Sequence, residues 1–545
     1  MINGKRIAAL CTSRIYEKQH NSSINVLSDR LSREGIGLLI FAVNTDFYWE
    51  ENNGHPDAAV YDIIPFDKID ALLFMDERIK SHAVAKKVLE RAGKHSVPAA
   101  VIDGDYDGVS SLRFDYDGGF EEMVRHVIGY HGCRRPHFMA GIKGNKFSES
   151  RFERFKKVIE EYGIPYDDSM LSYGEFWAFP ARQAAEQLLS RSELPDAVIC
   201  ANDIMAINVC DVFAKNGVDV PSQVIVTGFD GIPETSFVRP EISTVLCDNS
   251  AMADDAADVL ISLMNGGSVG KVLAHPKLMP NASCGCEKKD IRAVVNGMNE
   301  SFYRYQDDVR LLYDITVRMQ MSRTSADAAG VLKYQNEHNH KPLIHDFCCI
   351  ADRNCLDRKQ NYFDSEQVSL ADSEKVVICD SFSDRTGIYP LDDVLIPNIS
   401  DRLSSGFPLI FNALDYCGKA LGYVCYAFGT CDPVDYSRTP SITQTLSMGL
   451  GGHMNMLYQR YLSDKVRDMY KFDSLTRLYN RAGFNYEFSL MKEELSEKGG
   501  EITVIMSDLD GLKRINDSYG HDAGDKAISL AASALKKPAR ITHCV

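Results

Sequence analysis

The sequence predicts an α/β protein built from several domains, and three observations support this prediction. The chain has 545 residues, more than a single hydrophobic core usually supports. In residues 1–286, short apolar runs alternate with amphipathic helical stretches, which is the pattern of a parallel sheet covered by helices on both faces. Two further α/β patterns follow at 322–445 and 473–545. We therefore expect a two-lobed domain, helical linkers and two smaller α/β domains.

Composition and charge argue against several classes of protein. The formal net charge of −16 argues against broad binding to nucleic acid or to an anionic membrane surface. No apolar run approaches the roughly 18 residues of a membrane span, and the first residues read as a strand, so we expect a cytoplasmic protein. The 15 cysteines are then expected to be reduced thiols. The pair in Cys284-Gly285-Cys286 lacks zinc-finger spacing, so no structural metal is predicted.

Two successive sets of strand and helix patterns divide residues 1–286. The apolar strand patterns of the first set are Ile7–Cys11, Gly37–Val43, Ala71–Met75, Ala99–Ile102 and Pro136–Ala140. The second set begins after Arg151 with a helical pattern and continues with strand patterns at Ala197–Cys200 and Val224–Thr227, with a helical pattern over 203–216 between them. Two such sets predict two lobes, and small ligands commonly bind in the cleft between lobes.

Sequence motifs at two strand ends identify a family. Residues 196–206 read D-A-V-I-C-A-N-D-I-M-A, and residues 224–231 read V-I-V-T-G-F-D-G. These motifs resemble the effector-binding core of the lactose-repressor family, which has the periplasmic-binding-protein type I fold. The resemblance covers about residues 1–286. It implies that Arg151, Asp203 and Asp230 face the cleft and contact a small polar ligand.

The chemistry of these side chains suits sugar-like or nucleoside-like ligands. Arginine and aspartate offer planar, bidentate donors and acceptors of the kind that hold hydroxyl groups and base edges. An alternative for Asp203 is that it caps the helix that it opens. Trp177 could stack on a sugar ring or lie in the core. Because the first strand begins near Arg6, we expect no helix-turn-helix head, and hence no binding to nucleic acid.

Residues 287–321 carry a heptad pattern. Apolar residues recur at alternating spacings of four and three, at Ile291, Val295, Met298, Phe302, Tyr305, Val309, Leu312, Thr316 and Met319. This spacing predicts a coiled coil and therefore a homodimer. The alternative is a surface helix that packs on its own domain.

Residues 322–445 read as a separate α/β domain. The predicted strands are Ile344–Ile350, Lys375–Cys379, Phe407–Ala413 and Ala420–Ala427. The last two are separated by a turn signal at 415–418. The order of strands and the position in the chain resemble a GAF-type sensory domain. A signalling helix over 446–472 follows, with Leu446, Leu450 and Met454 on one face.

The C-terminal region combines a strand pattern with carboxylates. The apolar run Ile502–Met506 predicts a buried strand that leads directly to Asp508 and Asp510. Carboxylates at a strand end suit Mg²⁺, which prefers one or two of them together with substrate phosphates. Lys513 follows as a charge suited to phosphate. The alternative is a strand, a polar turn and an amphipathic helix with solvated charges.

Two ordered motifs give this region a family resemblance. Residues 473–481 read D-S-L-T-R-L-Y-N-R, and residues 508–525 read D-L-D-G-L-K-R-I-N-D-S-Y-G-H-D-A-G-D. Both resemble the GGDEF domain of diguanylate cyclases, which make cyclic di-GMP from two GTP molecules. The resemblance implies that Asp508 and the Leu509 carbonyl bind Mg²⁺. It also implies that GTP is bound at Gly511, Leu512, Lys513, Asn516 and Asp525.

The signature of that family, Gly-Gly-Asp/Glu-Glu-Phe, does not occur in the 545 residues. We therefore expect a partial GGDEF domain at 473–545 without cyclase activity. The whole chain reads as a signal-transduction protein that couples ligand sensing to a GGDEF output. One alternative is a non-catalytic ligand-binding regulator. Another is a transcription regulator of the lactose-repressor class that lacks its DNA-binding head.

Overall fold

The computed structural model describes residues 1–2, 4–45, 47, 55–286, 312–313, 315–338, 347–364, 369–383, 385, 387–428, 433–501 and 503–536. The chain divides into two compact units. The first comprises Met1–Leu356 and Ser365–Gly452, and the second comprises Asp357–Asp364 and His453–Val545.

The N-terminal region, residues 1–286, alternates strands and helices as the sequence predicts. In chain order its elements are β1 (Ile7–Ser13), α1 (Lys18–Arg33), β2 (Gly37–Val43), β3 (Ala71–Met75), α2 (Asp76–Ile79), α3 (His82–Lys94), β4 (Ala99–Ile102), β5 (Ser110–Phe114), α4 (Tyr116–Arg125), β6 (Pro136–Ala140), α5 (Lys146–Glu161), β7 (Leu171–Tyr173), α6 (Ala178–Leu189), β8 (Ala197–Cys200), α7 (Asp203–Lys215), β9 (Ile225–Thr227), β10 (Thr244–Leu246), α8 (Asn249–Met264), β11 (Lys271–Ala274) and β12 (Lys277–Met279). Short 3₁₀ turns and one π turn, His126–Tyr130, join some of them.

These elements form two lobes, each with its own parallel sheet. The first lobe has the strand order β11-β5-β4-β3-β1-β2, and the second has the order β7-β6-β8-β9. Every residue of β1 and β2 is buried, which explains why their sequences are continuous apolar runs. The chain enters the second lobe after β5 and returns to the first lobe for α8 and β11. It then re-enters the second lobe at β12, which pairs with β10, so both lobes contain separated chain segments. The predicted two-lobed fold is thereby confirmed.

The second α/β part of the chain extends the sheet of the first lobe. Its elements are α9 (Ser325–His338), β13 (Phe347–Asp352), β14 (Lys375–Asp380), β15 (Tyr389–Pro390), α10 (Ile399–Ser404), β16 (Leu409–Tyr416), β17 (Lys419–Tyr426) and α11 (Pro433–Lys471). The antiparallel strands have the order β16-β17-β13-β14-β15, and β16 pairs in parallel with β2. The result is one eleven-stranded sheet. The four strands predicted here are confirmed to within a few residues, while the GAF-type assignment stays a prediction.

The tight turn between β16 and β17 follows from its two residues. Cys417 and Gly418 both have positive φ, at 50° and 74°. A two-residue loop with this geometry matches the twist of an antiparallel hairpin. It therefore sets the register in which Tyr416 faces Lys419.

The helices before and after this part pack closely against each other. Ile315 and Met319 are buried in the helical segment 315–321. A Cβ added to Gly449 of α11 would come within 2.7 Å of the Met319 sulfur, so the glycine permits the close approach. This part of the predicted coiled coil packs within its own chain. The other residues of the predicted coiled coil, 287–311 and 314, lie outside the described residues.

The second unit contains the end of α11 and the helices α12 (Arg481–Lys498), α13 (Leu512–Tyr519) and α14 (His521–Lys536). The predicted strand over 502–506 is wrong for its described residues. Val504, Ile505 and Met506 are 64%, 85% and 96% exposed and belong to no strand. Within the described part of the chain, no neighbouring strand satisfies their backbone hydrogen bonds, and a strand requires such a partner.

Candidate functional site

Two adjoining cavities lie in the cleft between the two lobes. Their volumes are about 300 and 350 Å³. Residues of both lobes line both cavities, and the side chains common to the two are Glu77, Lys80, Tyr116 and Asp230. A cleft of this size and mixed polarity suits a small organic ligand.

Arg151 is held at the wall of the larger cavity by the second lobe. It lies on α5 and is buried, with only 6% of its surface exposed. Its Nη1 donates a 2.9 Å hydrogen bond to the carbonyl of Ala201, and its guanidinium lies 4.2 Å from the ring centre of Phe229. The buried Nε has no hydrogen-bond partner among the described protein atoms. The side chain is therefore fixed in place with unused donor capacity.

Asp230 faces Arg151 across the same cavity. One carboxylate oxygen lies 3.7 Å from Nη2 of Arg151, and 42% of the side chain borders the open cleft. The backbone is strained, with φ at 108°, and its N–H donates to the carbonyl of Val245. Strain of this kind is concentrated at functional sites. Although part of the side chain is open to the cleft, desolvation by the surrounding protein raises the pKa of Asp230 to about 6, against the opposing effect of the Arg151 charge.

Asp203 lies behind the cleft rather than on its wall. It is fully buried, and its Oδ2 accepts hydrogen bonds of 2.7 and 2.9 Å from the backbone N–H groups of Gly231 and Ile232. Burial, followed by the nearby Asp230 carboxylate, raises its pKa. The helix cap is supplied by Asn202, whose Oδ1 accepts from the Met205 N–H. Asp203 thus positions the loop that carries Asp230, and neither sequence-based interpretation of Asp203 describes this arrangement.

Aromatic side chains form much of the remaining cavity wall. They are Tyr116, Phe147, Phe176 and Trp177. Trp177 is 56% exposed, so it lies in the cleft and not in the core. An exposed ring beside polar donors and acceptors suits stacking on a sugar or a base.

The first lobe contributes charged groups that the sequence analysis missed. Glu77, in the short helix α2 that follows β3, forms a 2.6 Å ion pair with Lys146 of the second lobe. Asp103, which follows β4, accepts a 3.0 Å hydrogen bond from the Tyr116 hydroxyl. Burial raises the pKa of Asp103 to about 6. Both acids follow the carboxyl end of a parallel strand within two residues, and this position in the sequence was the signal that could have found them.

The first C-terminal motif forms the junction between α11 and α12. Oδ1 of Asp473 accepts 3.2 and 2.8 Å hydrogen bonds from the backbone N–H groups of Leu475 and Thr476. The bonds from Thr476 lower the pKa of Asp473. Asn480 caps α12 by accepting from the Gly483 N–H, and its amide donates to the Tyr470 carbonyl at 2.8 Å. The motif residues therefore have a structural role: they terminate one helix and begin the next.

The predicted Mg²⁺ ligands do not form a metal site among the described residues. Asp508 is exposed, and its Oδ1 accepts a 2.9 Å hydrogen bond from its neighbour Leu509. No cluster of three or more acidic, histidine or cysteine side chains surrounds them in the part of the chain that the structure describes. Mg²⁺ takes one or two carboxylates together with substrate phosphates, and here Asp508 and Asp510 are both exposed and follow a segment that forms no strand to hold them in place. The residues present therefore do not fit Mg²⁺ in this arrangement.

The predicted GTP-binding residues are only partly brought together. Gly511, with φ at 80°, directly precedes α13, and Leu512 and Lys513 occupy the first turn of that helix. Lys513 and Asp525 are exposed. Oδ1 of Asn516 lies against α14, where a Cβ added to Gly524 would come within 1.8 Å of it. Asn516 and Asp525 thus lie on the packed pair α13 and α14.

Comparison with known families agrees with these two regions. Residues 124–284 match the periplasmic binding protein-like domain family, and residues 470–545 match the diguanylate cyclase GGDEF domain family. The chain therefore carries a periplasmic-binding-protein-like domain and a GGDEF domain. Among the described residues, none of the helices combines the length and the apolar character needed to cross a bilayer.

Individual relatives match part of the chain. The HTH-type transcriptional regulator MalR of Clostridium butyricum is 24% identical over 40% of this chain and 62% of its own length. The HTH-type transcriptional repressor PurR of Glaesserella parasuis serovar 5 (strain SH0165) is 26% identical over 41% of this chain and 64% of its own length. The HTH-type transcriptional regulator GalR of Escherichia coli (strain K12) is 32% identical over 26% of this chain and 40% of its own length. The chain thus spans less than two thirds of the length of these relatives.

The chain also has similarity to solved structures. A lac repressor dimer bound to operator and the anti-inducer ONPF is 19% identical, over 52% of this chain and 94% of that one, with a TM-score of 0.43. The transcriptional regulator CelR in complex with cellobiose is 22% identical, over 51% of this chain and 85% of that one, with a TM-score of 0.41.

Proposed function

We propose that this chain, a periplasmic-binding-protein-like domain fused to a GGDEF domain, is a signal-transduction protein that couples binding of a small polar ligand to its GGDEF output. One observation carries the ligand-binding part. Arg151, Asp230 and the exposed ring of Trp177 converge on a cavity of about 350 Å³ between the lobes. This combination of a planar cation, a carboxylate and an aromatic face suits a ring-shaped ligand with hydroxyl or amide groups. Sugar-like and nucleoside-like molecules are the proposed class.

Closure of the lobes on the ligand supplies the signal in this proposal. The ion pair between Glu77 and Lys146 already connects the lobes at the cavity. Because β16 pairs with β2, the second α/β part belongs to the same sheet as the first lobe. That part continues through α11 to Asp473, where the first GGDEF motif begins. A movement of one lobe against the other therefore has a continuous structural path to the start of the output domain.

The output proposed for the intact domain is the synthesis of cyclic di-GMP from two GTP molecules. Lys513, Asn516 and Asp525 are the proposed GTP contacts. In this reaction each of two domains holds one GTP, and the two nucleotides react across a dimer, so positioning is most of the catalysis. A homodimer is therefore part of the proposal.

A second candidate function is a ligand-binding regulator without catalysis. The exposure of Asp508 and the absence of strand structure over 503–506 among the described residues favour it for the 545-residue chain. In that case the GGDEF region would bind nucleotide or a partner protein without turnover. A transcription regulator of the lactose-repressor class is a third candidate, since the relatives are named as transcriptional regulators.

Ligand binding to the cleft is tested with a panel of sugars, nucleosides and purine bases. The full chain is screened for a rise in melting temperature, and titration calorimetry then gives the affinity of each compound that raises it. Asp230→Asn and Trp177→Ala are expected to weaken binding by about 1–3 kcal/mol each. Asp211→Asn and Phe179→Ala are matched controls, because neither residue lines the two interlobe cavities. If the cleft variants bind as tightly as the controls, the proposed site is wrong.

A further inference from the structure

Two histidines and two cysteines meet at the base of the second lobe, away from the ligand cleft. They are His126, His131, Cys284 and Cys286, and their ligand atoms all lie within 4.8 Å of one another. The histidines follow α4, whereas the cysteines stand at the end of the N-terminal region, as far as 160 residues away in sequence. Neither the ligand cleft nor the GGDEF region uses these side chains.

The backbone holds both histidines in place. A π turn, His126–Tyr130, follows α4, and the N–H of His131 donates a 3.2 Å hydrogen bond to the carbonyl of His126. This spacing places two side chains five positions apart on the same side of the turn, and such π turns occur often at functional sites. The ring of Tyr130 stacks on His126 with centres 5.1 Å apart.

The backbone also presents both sulfur atoms from one short segment. A 3₁₀ turn, Ala282–Cys284, ends at Gly285, whose φ of 90° turns the chain so that Cys286 returns toward Cys284. Ser283 holds this segment to the lobe, because its hydroxyl donates a 2.5 Å hydrogen bond to the Val226 carbonyl. The N–H of Ser243 donates to the same hydroxyl at 2.8 Å. The sulfur atoms are therefore positioned by buried contacts.

Four of the six distances between these atoms are close to those of a tetrahedral zinc site. With Zn–N near 2.05 Å and Zn–S near 2.3 Å, tetrahedral angles place two nitrogens about 3.3 Å apart and a nitrogen about 3.5 Å from a sulfur. The two Nε2 atoms are 3.1 Å apart. The sulfur of Cys284 lies 3.5 Å from Nε2 of His126, and that of Cys286 lies 3.8 and 3.6 Å from Nε2 of His126 and His131. These four distances agree with tetrahedral coordination to within about 0.3 Å.

We propose that His126, His131, Cys284 and Cys286 bind a structural Zn²⁺ ion. Two imidazole nitrogens and two thiolates complete the four-coordinate shell of a closed zinc site, which leaves no position for a substrate. Binding transfers the two thiol protons to solvent, and the 3.3 Å hydrogen bond from Cys284 to the Asn281 carbonyl ends with the loss of its proton. The ion fastens the segment that leaves the second lobe to the end of α4. It thereby fixes the point from which the chain continues to residue 287.

The metal content of the full chain tests this proposal. Protein purified with zinc and passed through a desalting column should retain about one zinc ion per chain. Inductively coupled plasma mass spectrometry measures this content. After chelation, added Co²⁺ should give the intense near-ultraviolet band of thiolate coordination and the visible bands of a tetrahedral ion. Cys284→Ser, Cys286→Ser, His126→Gln and His131→Gln should each lose most of the zinc and change the cobalt spectrum.

Two control variants and a stability measurement keep the result interpretable. Cys417→Ser removes an exposed thiol and His275→Gln an exposed imidazole outside the cluster, and both should retain zinc. Chelation should lower the melting temperature of the wild type and leave that of Cys286→Ser unchanged. The proposal is overturned if folded wild-type chain retains no zinc and gives no thiolate–cobalt band. Zinc that persists in all four cluster variants would equally overturn it.

Discussion

The side-chain amide of Asn412 donates a 2.6 Å hydrogen bond to the backbone carbonyl of Ala42, although the two residues are 370 positions apart in sequence. Both lie inside the eleven-stranded sheet, where β16 pairs with β2. Directly beside them, the rings of Phe41 and Phe411 stack with centres 5.2 Å apart. Polar and apolar contacts therefore join the second α/β part to the first lobe.

Replacement of Asn412 by Ala should destabilise the first unit. The buried amide is lost and the Ala42 carbonyl loses a donor, so the expected cost is about 1–3 kcal/mol of the free energy of unfolding. Urea denaturation followed by circular dichroism measures it. Asn354→Ala is the control, because Asn354 is exposed on the same α/β part. Equal stability of the two variants would show that the contact does not support the shared sheet.

Asp57 should make the stability of the first unit depend on pH. It is buried, and burial raises its pKa to about 7, with the Asn44 N–H bond opposing the rise and Asp415 adding to it. Since the unfolded pKa is about 3.9, the folded state binds more protons between pH 4 and 7. The stabilisation that the Asp57 carboxyl group contributes to the folded state is therefore fully present below about pH 4, and it is lost as the pH rises through about 7.

The variant Asp57→Asn isolates this effect, because the amide oxygen can still accept the 2.8 Å hydrogen bond from the Asn44 N–H. Between pH 5 and pH 8 the wild type should lose about 1–3 kcal/mol more stability than the variant. Denaturation curves at the two pH values provide the comparison. Parallel losses in both proteins would show that Asp57 has an ordinary pKa.

Gly451 should tolerate no side chain. A Cβ at this position of α11 would lie 2.2 Å from the ring of Tyr416. Gly451→Ala is therefore expected to cost about 1–3 kcal/mol through overpacking. Gly330→Ala is the matched control, because Gly330 also lies in a helix and its added Cβ would meet nothing within 4 Å. That control should be neutral or more stable by about 1 kcal/mol, and the same result for Gly451 would contradict the packing.

The 545-residue chain should make no detectable cyclic di-GMP from GTP and Mg²⁺. Asp508 is exposed and belongs to no cluster of three or more metal-ligating side chains among the described residues, so we expect charge stabilisation and positioning to be lost. Incubation with labelled GTP measures turnover, with an active diguanylate cyclase as the positive control. Asp508→Asn should be indistinguishable from the wild type. Product that disappears in Asp508→Asn would contradict the prediction and favour catalysis.

The sequence by itself determined many of the strands and the two family resemblances. The apolar runs of β1 to β4, β6 and β8 were readable because burial on both faces leaves a local pattern in the chain. Arg151 and Asp230 were predicted through the resemblance, and both line the larger cavity. The strand pattern over 502–506 gave the wrong structure, because a strand needs a hydrogen-bonded neighbour as well as apolar residues.

Only the tertiary structure decided which distant residues meet. It pairs β16 with β2 and places Trp177 in the cleft and Asp203 behind it. It also brings Cys284 and Cys286 to two histidines near the end of α4, a grouping that the spacing of the cysteines did not predict. The physical reason is the same in each case. Local periodicity records how much of a side chain is buried, whereas its partners depend on how separate segments pack.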